Sequence, residues 1–509
     1  MVGGVKNGVK STGLRMKKQT SLGFDLRPHI ATAAICTALS LAVIWQGSFF
    51  TVQYIILLAI PFAAFAFSER SVTVTLNTLL FVGLTLVMLA SLLIAAKEPQ
   101  IGIREWLRYL LMPIYLQFFI VFKDKSKWYM KAFFIGIATV AIFGILAYFG
   151  GIEIPFGIIE QSGRMQSTIQ YANTTALLML IGVLYSTHYF QETRNWRYPL
   201  YAVGFAYCLY LTGSRTTFIL LFAIALMYTI SRLKLKARLI SIGILAATAA
   251  AFLLIGGRIV RISLTEPTFI ERVITWQDGL ALAMQNPFFG LGIGNWQFEQ
   301  FLYQSAPYGV RYIHNYYVQL ALDGGVLAML IFAAALANSL WRGRKERSIH
   351  LFAILAIALH IFMDFDMSFG AVILILMFSL AQVPDKEIKL FTFQSKRLRF
   401  LALAPAIFFA VIWVAEFNRI PPDPLDAKFA VARQLAAEGE YITAIEYTEE
   451  LIRLWRFNEE YQVFYRKLLV AAVAAKELSD DEQRQKLMVS EQSSTQMNPL
   501  YIRYIKYTN

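Results

Sequence analysis

Apolar residues in this chain fall in long blocks separated by short basic or polar stretches. A helix crossing a bilayer needs about 20 apolar residues. Blocks of that scale lie near 30–47, 51–67, 72–95, 101–122, 129–150, 171–189, 198–212, 216–231, 239–256, 323–340, 349–366, 368–383 and 400–417. The pattern predicts an all-α, polytopic membrane helical bundle of about 12 to 13 spans. The short connections at 212–216 and 366–368 read as tight turns or re-entrant segments.

Orientation follows from where lysine and arginine fall, because cytoplasmic loops hold the excess. With the N-terminus inside, the inner loops carry Arg70; Lys123, Lys125 and Lys127; Arg194 and Arg197; Arg232, Lys234, Lys236 and Arg238; Arg342, Arg344, Lys345 and Arg347; and Lys386, Lys389, Lys396, Arg397 and Arg399. The outer loops carry few: Lys97, Arg164, Arg215 and, in one long loop, Arg258, Arg261, Arg272 and Arg311. The chain therefore divides into a cytoplasmic segment 1–28, a transmembrane domain 29–418 with an outer loop 257–322, and an extracytoplasmic helical tail 419–509. Multi-pass insertion in the cell membrane with an outward active face is the expected localisation.

Two regions break the apolar pattern. The loop 257–322 is too long to be a mere connector. It holds Asn286-Pro287, Gly290, Gly292, Gly294 and many aromatics, which predicts surface helices joined by Gly-rich turns. In the tail, Pro421, Pro422 and Pro424 predict a stiff linker. The apolar spacing from Leu435 through Tyr441, Ala444 and Ile445 then predicts a helical pair turning at Gly439, either tetratricopeptide-like or a plain hairpin. One such pair cannot bury its own face and must pack on something else.

Composition agrees with the blocks. Hydrophobic residues make up 57% of the 509 and charged residues 16%, more apolar side chain than a soluble chain of this length can bury. The formal charge of +14 reflects the loops and is no argument for nucleic acid. Both cysteines, Cys36 and Cys208, lie inside apolar runs, against a disulfide framework or thiolate metal site. The chain has no phosphate-binding G-x-x-x-x-G-K-[ST] loop, no H-E-x-x-H and no zinc-like cluster. No metal or cofactor is expected, so any chemistry must draw its energy from the substrate.

Candidate chemistry gathers at the outward end. Of five histidines, His29, His188 and His350 sit at inner ends and His360 within a span, leaving His314, between Arg311 and Asn315, at the outer surface. A lone histidine is more often structural, but this one keeps polar company. Outer arginines are few and each needs a reason: Arg164 before a span, Arg215 in a short turn, and Arg104 and Arg108 on one helix face. A guanidinium at membrane depth faces a polar cavity or a partner. Glu105 is one partner for Arg108; an anionic ligand such as a diphosphate, gripped bidentately, is the alternative. Asp364 and Asp366 could hold a divalent cation beside a phosphate, cap a helix, or pair with an outer arginine.

The run from Arg272 to Phe301, followed by His314 to Leu330, resembles the O-antigen ligase and polymerase family. The matching positions are Arg272, Trp276, Pro287, Gly292, Gly294, His314, Asn315, Gln319 and Gly325. "GRMQSTIQYANTTA", "GSRTTFILL" and "HIFMDF" resemble further segments of that family. One departure is that Asp323 immediately precedes Gly324, where the family commonly has an acid two before the first Gly.

The resemblance implies a GT-C-like membrane glycosyltransferase. Such an enzyme takes a glycan from an undecaprenyl-diphosphate carrier and passes it to a lipid, glycan or protein hydroxyl, with membrane lipid as its surroundings. His314, Arg215 and Arg164 become the catalytic candidates, and Arg104, Arg108, Arg272, Arg311, Asn315 and Asp364 the substrate-binding ones. An O-oligosaccharyltransferase acting on protein shares that fold. A transporter or flippase of lipid-linked glycans is the rival from another class, although no internal repeat supports it.

Overall fold

A computed structural model describes residues 27–66, 72–97, 99–150, 158–159, 163–232, 234–255, 267–306, 308–388, 395–417, 424–454 and 459–495. The basic residues before Arg27, together with Arg70, Arg258, Arg261, Lys389, Pro421 and Pro422, lie outside them.

The first nine helices are α1 (Arg27–Ile44), α2 (Thr51–Ala66), α3 (Leu76–Ile94), α4 (Pro99–Val121), α5 (Ser126–Gly150), α6 (Ala172–Thr193), α7 (Arg197–Thr212), α8 (Arg215–Arg232) and α9 (Leu235–Ile255). The long loop supplies α10 (Pro267–Gln285) and α11 (Trp296–Tyr303). Four more follow: α12 (Tyr316–Gly343), α13 (Ile349–His360), α14 (Gly370–Gln382) and α15 (Ser395–Phe417). The tail holds α16 (Pro424–Glu438), α17 (Tyr441–Leu454), α18 (Glu459–Ala474) and α19 (Asp480–Thr495). Short antiparallel pairings, Val74–Thr75 with Glu387–Ile388 and Ile158–Ile159 with Met165–Ser167, tie loops together.

Every predicted apolar run carries a helix, and the chain is an all-α membrane helical protein. Leu76–Ile94, Lys123–Gly150 and Tyr316–Gly343 are each long and apolar enough to cross a membrane by themselves. Shorter apolar helices include Thr51–Ala66, Arg215–Ser231 and Gly370–Gln382. At the centre stands α14, buried from Gly370 to Ala381 on all sides, as expected of a helix with no polar face. It packs on α4, α13 and α1. Around it α1 lies on α5, α3 on both α4 and α12, α6 on α7, and α2 on α15.

Two boundaries differ from the hydropathy reading. The helix expected near 323 begins at Tyr316, because the Asn315 side chain accepts from the amides of Tyr317 and Val318 and caps it. The run expected to end at 366 stops at His360. There the Ile361 carbonyl is taken by the Tyr316 amide at 2.8 Å, which binds the end of α13 to the start of α12.

α12 is also broken. Gly324 and Gly325 leave helical geometry, and Gly325 sits at φ +78°. The Gly-rich loop docks in that break: the Leu291 amide donates to the Leu322 carbonyl at 2.7 Å, and the Val326 amide to the Pro287 carbonyl at 2.8 Å. A β-carbon on Gly290, itself at φ +67°, would overlap the Leu322 carbonyl. Glycine is therefore required there on two counts. Leu282, Leu291, Trp296, Ile313 and Leu322 seal the contact as a second apolar core.

In the tail, α16 and α17 form the expected hairpin, with Gly439 at φ +87° in the turn. Ala444 and Ile445 pack against Leu468, Leu469 and Ala472 of α18, so α18 covers the face that the hairpin cannot bury alone.

Candidate functional site

Helix ends brought together at one end of the bundle build two polar clusters joined by aromatic rings. The first centres on Asp364, in the loop after α13 and almost fully buried. Its carboxylate accepts from the Tyr171 hydroxyl at 2.8 Å and from Asn173 Nδ2 at 2.6 Å. Arg272 of α10 lies 3.4 Å away and donates a further hydrogen bond to the Met363 carbonyl at 2.7 Å. Asn173 in turn accepts from Arg164 at 2.7 Å, and Arg164 Nε donates to the Thr212 carbonyl at 2.8 Å. Burial works against the Asp364 carboxylate, yet the Arg272 guanidinium and the Tyr171 hydroxyl hold its pKa below the ordinary carboxylate value.

His314 stands beside this cluster. Its ring meets Phe365 edge-on at 5.1 Å, and its carbonyl accepts from the Trp276 indole at 2.9 Å. Trp276 thereby anchors the backbone that presents the imidazole. Burial lowers the His314 pKa; Asp364 opposes the shift and Arg272 adds to it. The ring is accordingly neutral at neutral pH and able to accept a proton.

The second cluster is built on α4. Arg108 donates to Glu105 at 2.6 Å, to the Tyr312 hydroxyl at 3.0 Å and to the Phe49 carbonyl at 3.2 Å. Its guanidinium lies among the rings of Phe49, Tyr54 and Tyr312, each centroid within 5.7 Å. Tyr312 also donates to Glu105 at 2.7 Å. Arg311 is half exposed above the same carboxylate at 3.7 Å. The two terminal nitrogens of Arg108 are thus held by protein partners while its Nε is buried without one, and Arg311 presents charge to the surface. Arg104 lies one turn before Arg108, its carbonyl accepting from the Tyr54 hydroxyl at 2.7 Å.

Phe365 connects the clusters. It stacks on Tyr312 at 5.6 Å and packs against Tyr171 at 4.7 Å, and Phe49 reaches Phe369 at 4.9 Å. A polar cleft lined by Glu105, Arg108, Tyr312, Tyr316, Gln319 and Asp323 runs beneath.

Residues 200–333 match the family model for O-antigen ligase. Over that segment the chain is similar to the O-antigen ligase family. No curated protein matches it. The family carries O-antigen ligase-like function in general terms and points to a glycosyltransferase-like enzyme with lipid-linked glycan and acceptor partners.

The matched segment contains Arg215, Arg272, His314 and Asn315, whereas Arg164, Asn173 and Asp364 lie outside it and are brought to it by folding. Several of its motif positions make contacts that hold the local fold. Gly294 donates its amide to Asp323 at 3.4 Å. Gln319 bridges the Ile313 amide and Asp323, at 2.9 and 3.0 Å. The side-chain oxygen of Asn315 is committed to capping α12.

The structure joins Arg164, Arg272, His314 and Asp364 in one cluster and Arg108 with Arg311 in the other. Arg215 opens α8, on the turn that Arg164 holds through Thr212. Sequence reasoning passed over Tyr312 and Tyr171, whose hydroxyls serve carboxylates; an interfacial tyrosine has too many uses to be singled out. The metal reading of Asp364 and Asp366 finds no support: among the described residues no group of three or more His, Cys, Asp or Glu could hold an ion.

Proposed function

We propose that this chain transfers or polymerises a glycan from an undecaprenyl-diphosphate carrier onto an acceptor hydroxyl at the outer face of the cytoplasmic membrane. The observation that carries the reading is the setting of His314: a neutral imidazole beside a buried Asp364–Arg272 pair, at the end of the bundle where the charged clusters gather. His314 takes the acceptor O–H proton as the hydroxyl oxygen bonds to the sugar's anomeric carbon. The bond from that carbon to the phosphate oxygen breaks, and undecaprenyl diphosphate leaves with the electron pair. Arg164, Arg215 and Arg272, with Arg311 at the surface, offset the charge developing on the diphosphate. Arg108 and Arg104 support that surface from below, Arg108 by orienting Glu105 and Tyr312. Aromatic rings at the headgroup level suit sugar faces and the membrane interface.

The test is transfer by the purified chain in nanodiscs, with an undecaprenyl-diphosphate-linked glycan as donor and lipid, glycan and peptide acceptors in separate reactions. Product and released carrier should appear together and fall away in His314→Ala. Transfer undiminished in that variant, or no transfer to any acceptor class, overturns the reading.

A further inference from the structure

Asp364 and Asp366 leave their loop in different directions and their partners end on the same turn. One arm runs from Asp364 through Asn173 and Arg164 to the Thr212 carbonyl. The other runs from Asp366, fully buried, to His360 Nδ1, and from His360 Nε2 to the Thr217 hydroxyl at 2.7 Å. The two ring nitrogens of His360 thus join Asp366 on one side to the Thr217 hydroxyl on the other. Thr217 is in turn 2.9 Å from the Ser214 hydroxyl, and Thr174 donates to the second Asp366 oxygen at 2.7 Å. Between the two anchored ends, Thr212 and Thr217, stands Arg215. Gly213, at φ +64°, makes the bend, and a β-carbon on it would touch the Arg164 side chain.

We propose that His360 and Asp366 are positioning residues which, through Thr217, fix the turn presenting Arg215 to the donor diphosphate. The Asp-x-Asp pair is then a two-armed bracket on one turn. His360 and Asp366 are themselves buried and reach the donor only through Thr217 and the turn. A turn between two helices without this tie would move freely enough to misplace a guanidinium, and misplacement by about 1 Å can cost a hundredfold in rate. The proposal rests on the reading that Arg215 stabilises the leaving diphosphate.

Full-length protein in nanodiscs decides it through two measurements on Thr217→Val, Thr217→Ser and His360→Gln. Thr217→Val, which removes the hydroxyl but little volume, should lower kcat by about tenfold with the acceptor KM unchanged, as expected for a lost transition-state contact. Thr217→Ser, which keeps the hydroxyl, should recover most of the rate. Hydrogen exchange of the peptide spanning 212–217 should speed up in Thr217→Val and His360→Gln and stay slow in Thr217→Ser. Unchanged kcat in Thr217→Val, or lost rate without faster exchange at the turn, overturns the proposal. Wild-type protein that transfers nothing would sink the glycan-transfer reading, while the exchange data would still decide whether His360 holds the turn.

Discussion

Asp364 and Asn173, 191 residues apart in the chain, meet across a hydrogen bond of 2.6 Å. The bond ties the loop after α13 to the first turn of α6. Asn173 reaches Arg164 on its other side, so one amide side chain links the Asp364 carboxylate to the Arg164 guanidinium. Arg164 is thereby oriented by Asn173 and by the Thr212 carbonyl, the placement a guanidinium needs if it is to meet the donor diphosphate.

Removing Arg164 tests that idea. Arg164→Ala should cost on the order of 1.5–3 kcal/mol of charge-assisted hydrogen bonding, read as lost transfer rate. Arg164→Lys should recover only part, because an ammonium cannot span Asn173 and Thr212 as a planar fork does. Arg215→Ala should behave similarly. Full transfer in Arg164→Ala would leave the arginine a strut for the turn.

The pH dependence of transfer follows from the His314 shift. Its pKa lies below the ordinary 6.5, so the neutral, proton-accepting form persists to lower pH than for an exposed histidine. Rate should hold steady down to about pH 6.5 and fall as pH drops through the lowered value. His314→Ala should lose roughly 10²–10⁴-fold, the usual worth of a general base. A protonated His314 gripping phosphate would give the reverse profile, with activity kept at low pH and in His314→Arg. Pre-steady-state rates across pH, with protein level controlled, separate the two.

Arg108 and Glu105 form a buried ion pair, with side chains 7% and 8% exposed. Glu105→Ala strands a buried guanidinium and should lower stability by about 3–5 kcal/mol. The double variant Glu105→Gln, Arg108→Met removes both charges and should regain much of that loss. Thermal unfolding in detergent is the measurement, and an unchanged midpoint in Glu105→Ala would show the pair to be well solvated.

Topology is tested by single cysteines in a background lacking Cys36 and Cys208. Lys97, Phe288 and Ala437 are accessible positions expected to label from outside with an impermeant thiol reagent. Lys127, Lys236 and Arg344, also exposed, should label only after the membrane is opened. Gly292 is unsuitable as a probe: at φ +105° its β-carbon would lie 2.5 Å from the Ala95 carbonyl. Outside labelling at Lys236 would break the alternation read from the basic loops.

The helices were legible in the chain, because a bilayer-crossing segment satisfies its own backbone hydrogen bonds and announces itself by length and apolarity. The sequence also marked His314, Arg164, Arg272 and Asp364, since charged or titratable groups near membrane depth are rare enough for each to stand out. Their partners are set by the packed fold. Nothing in the local pattern says that Asp364 turns to Asn173, 191 residues away in the chain, while Asp366 turns back to His360 on the preceding helix, because the two directions depend on which helix ends surround the loop. Nor does hydropathy reveal the break at Gly324 and Gly325: apart from Asp323 the runs on both sides are apolar, and the backbone leaves the helix there to receive the carbonyls and amides of a loop from elsewhere in the fold. Periodicity reports which face of a segment avoids water, whereas hydrogen-bond partners across a bundle depend on how helices of similar apolar surface are arranged, which that periodicity does not encode.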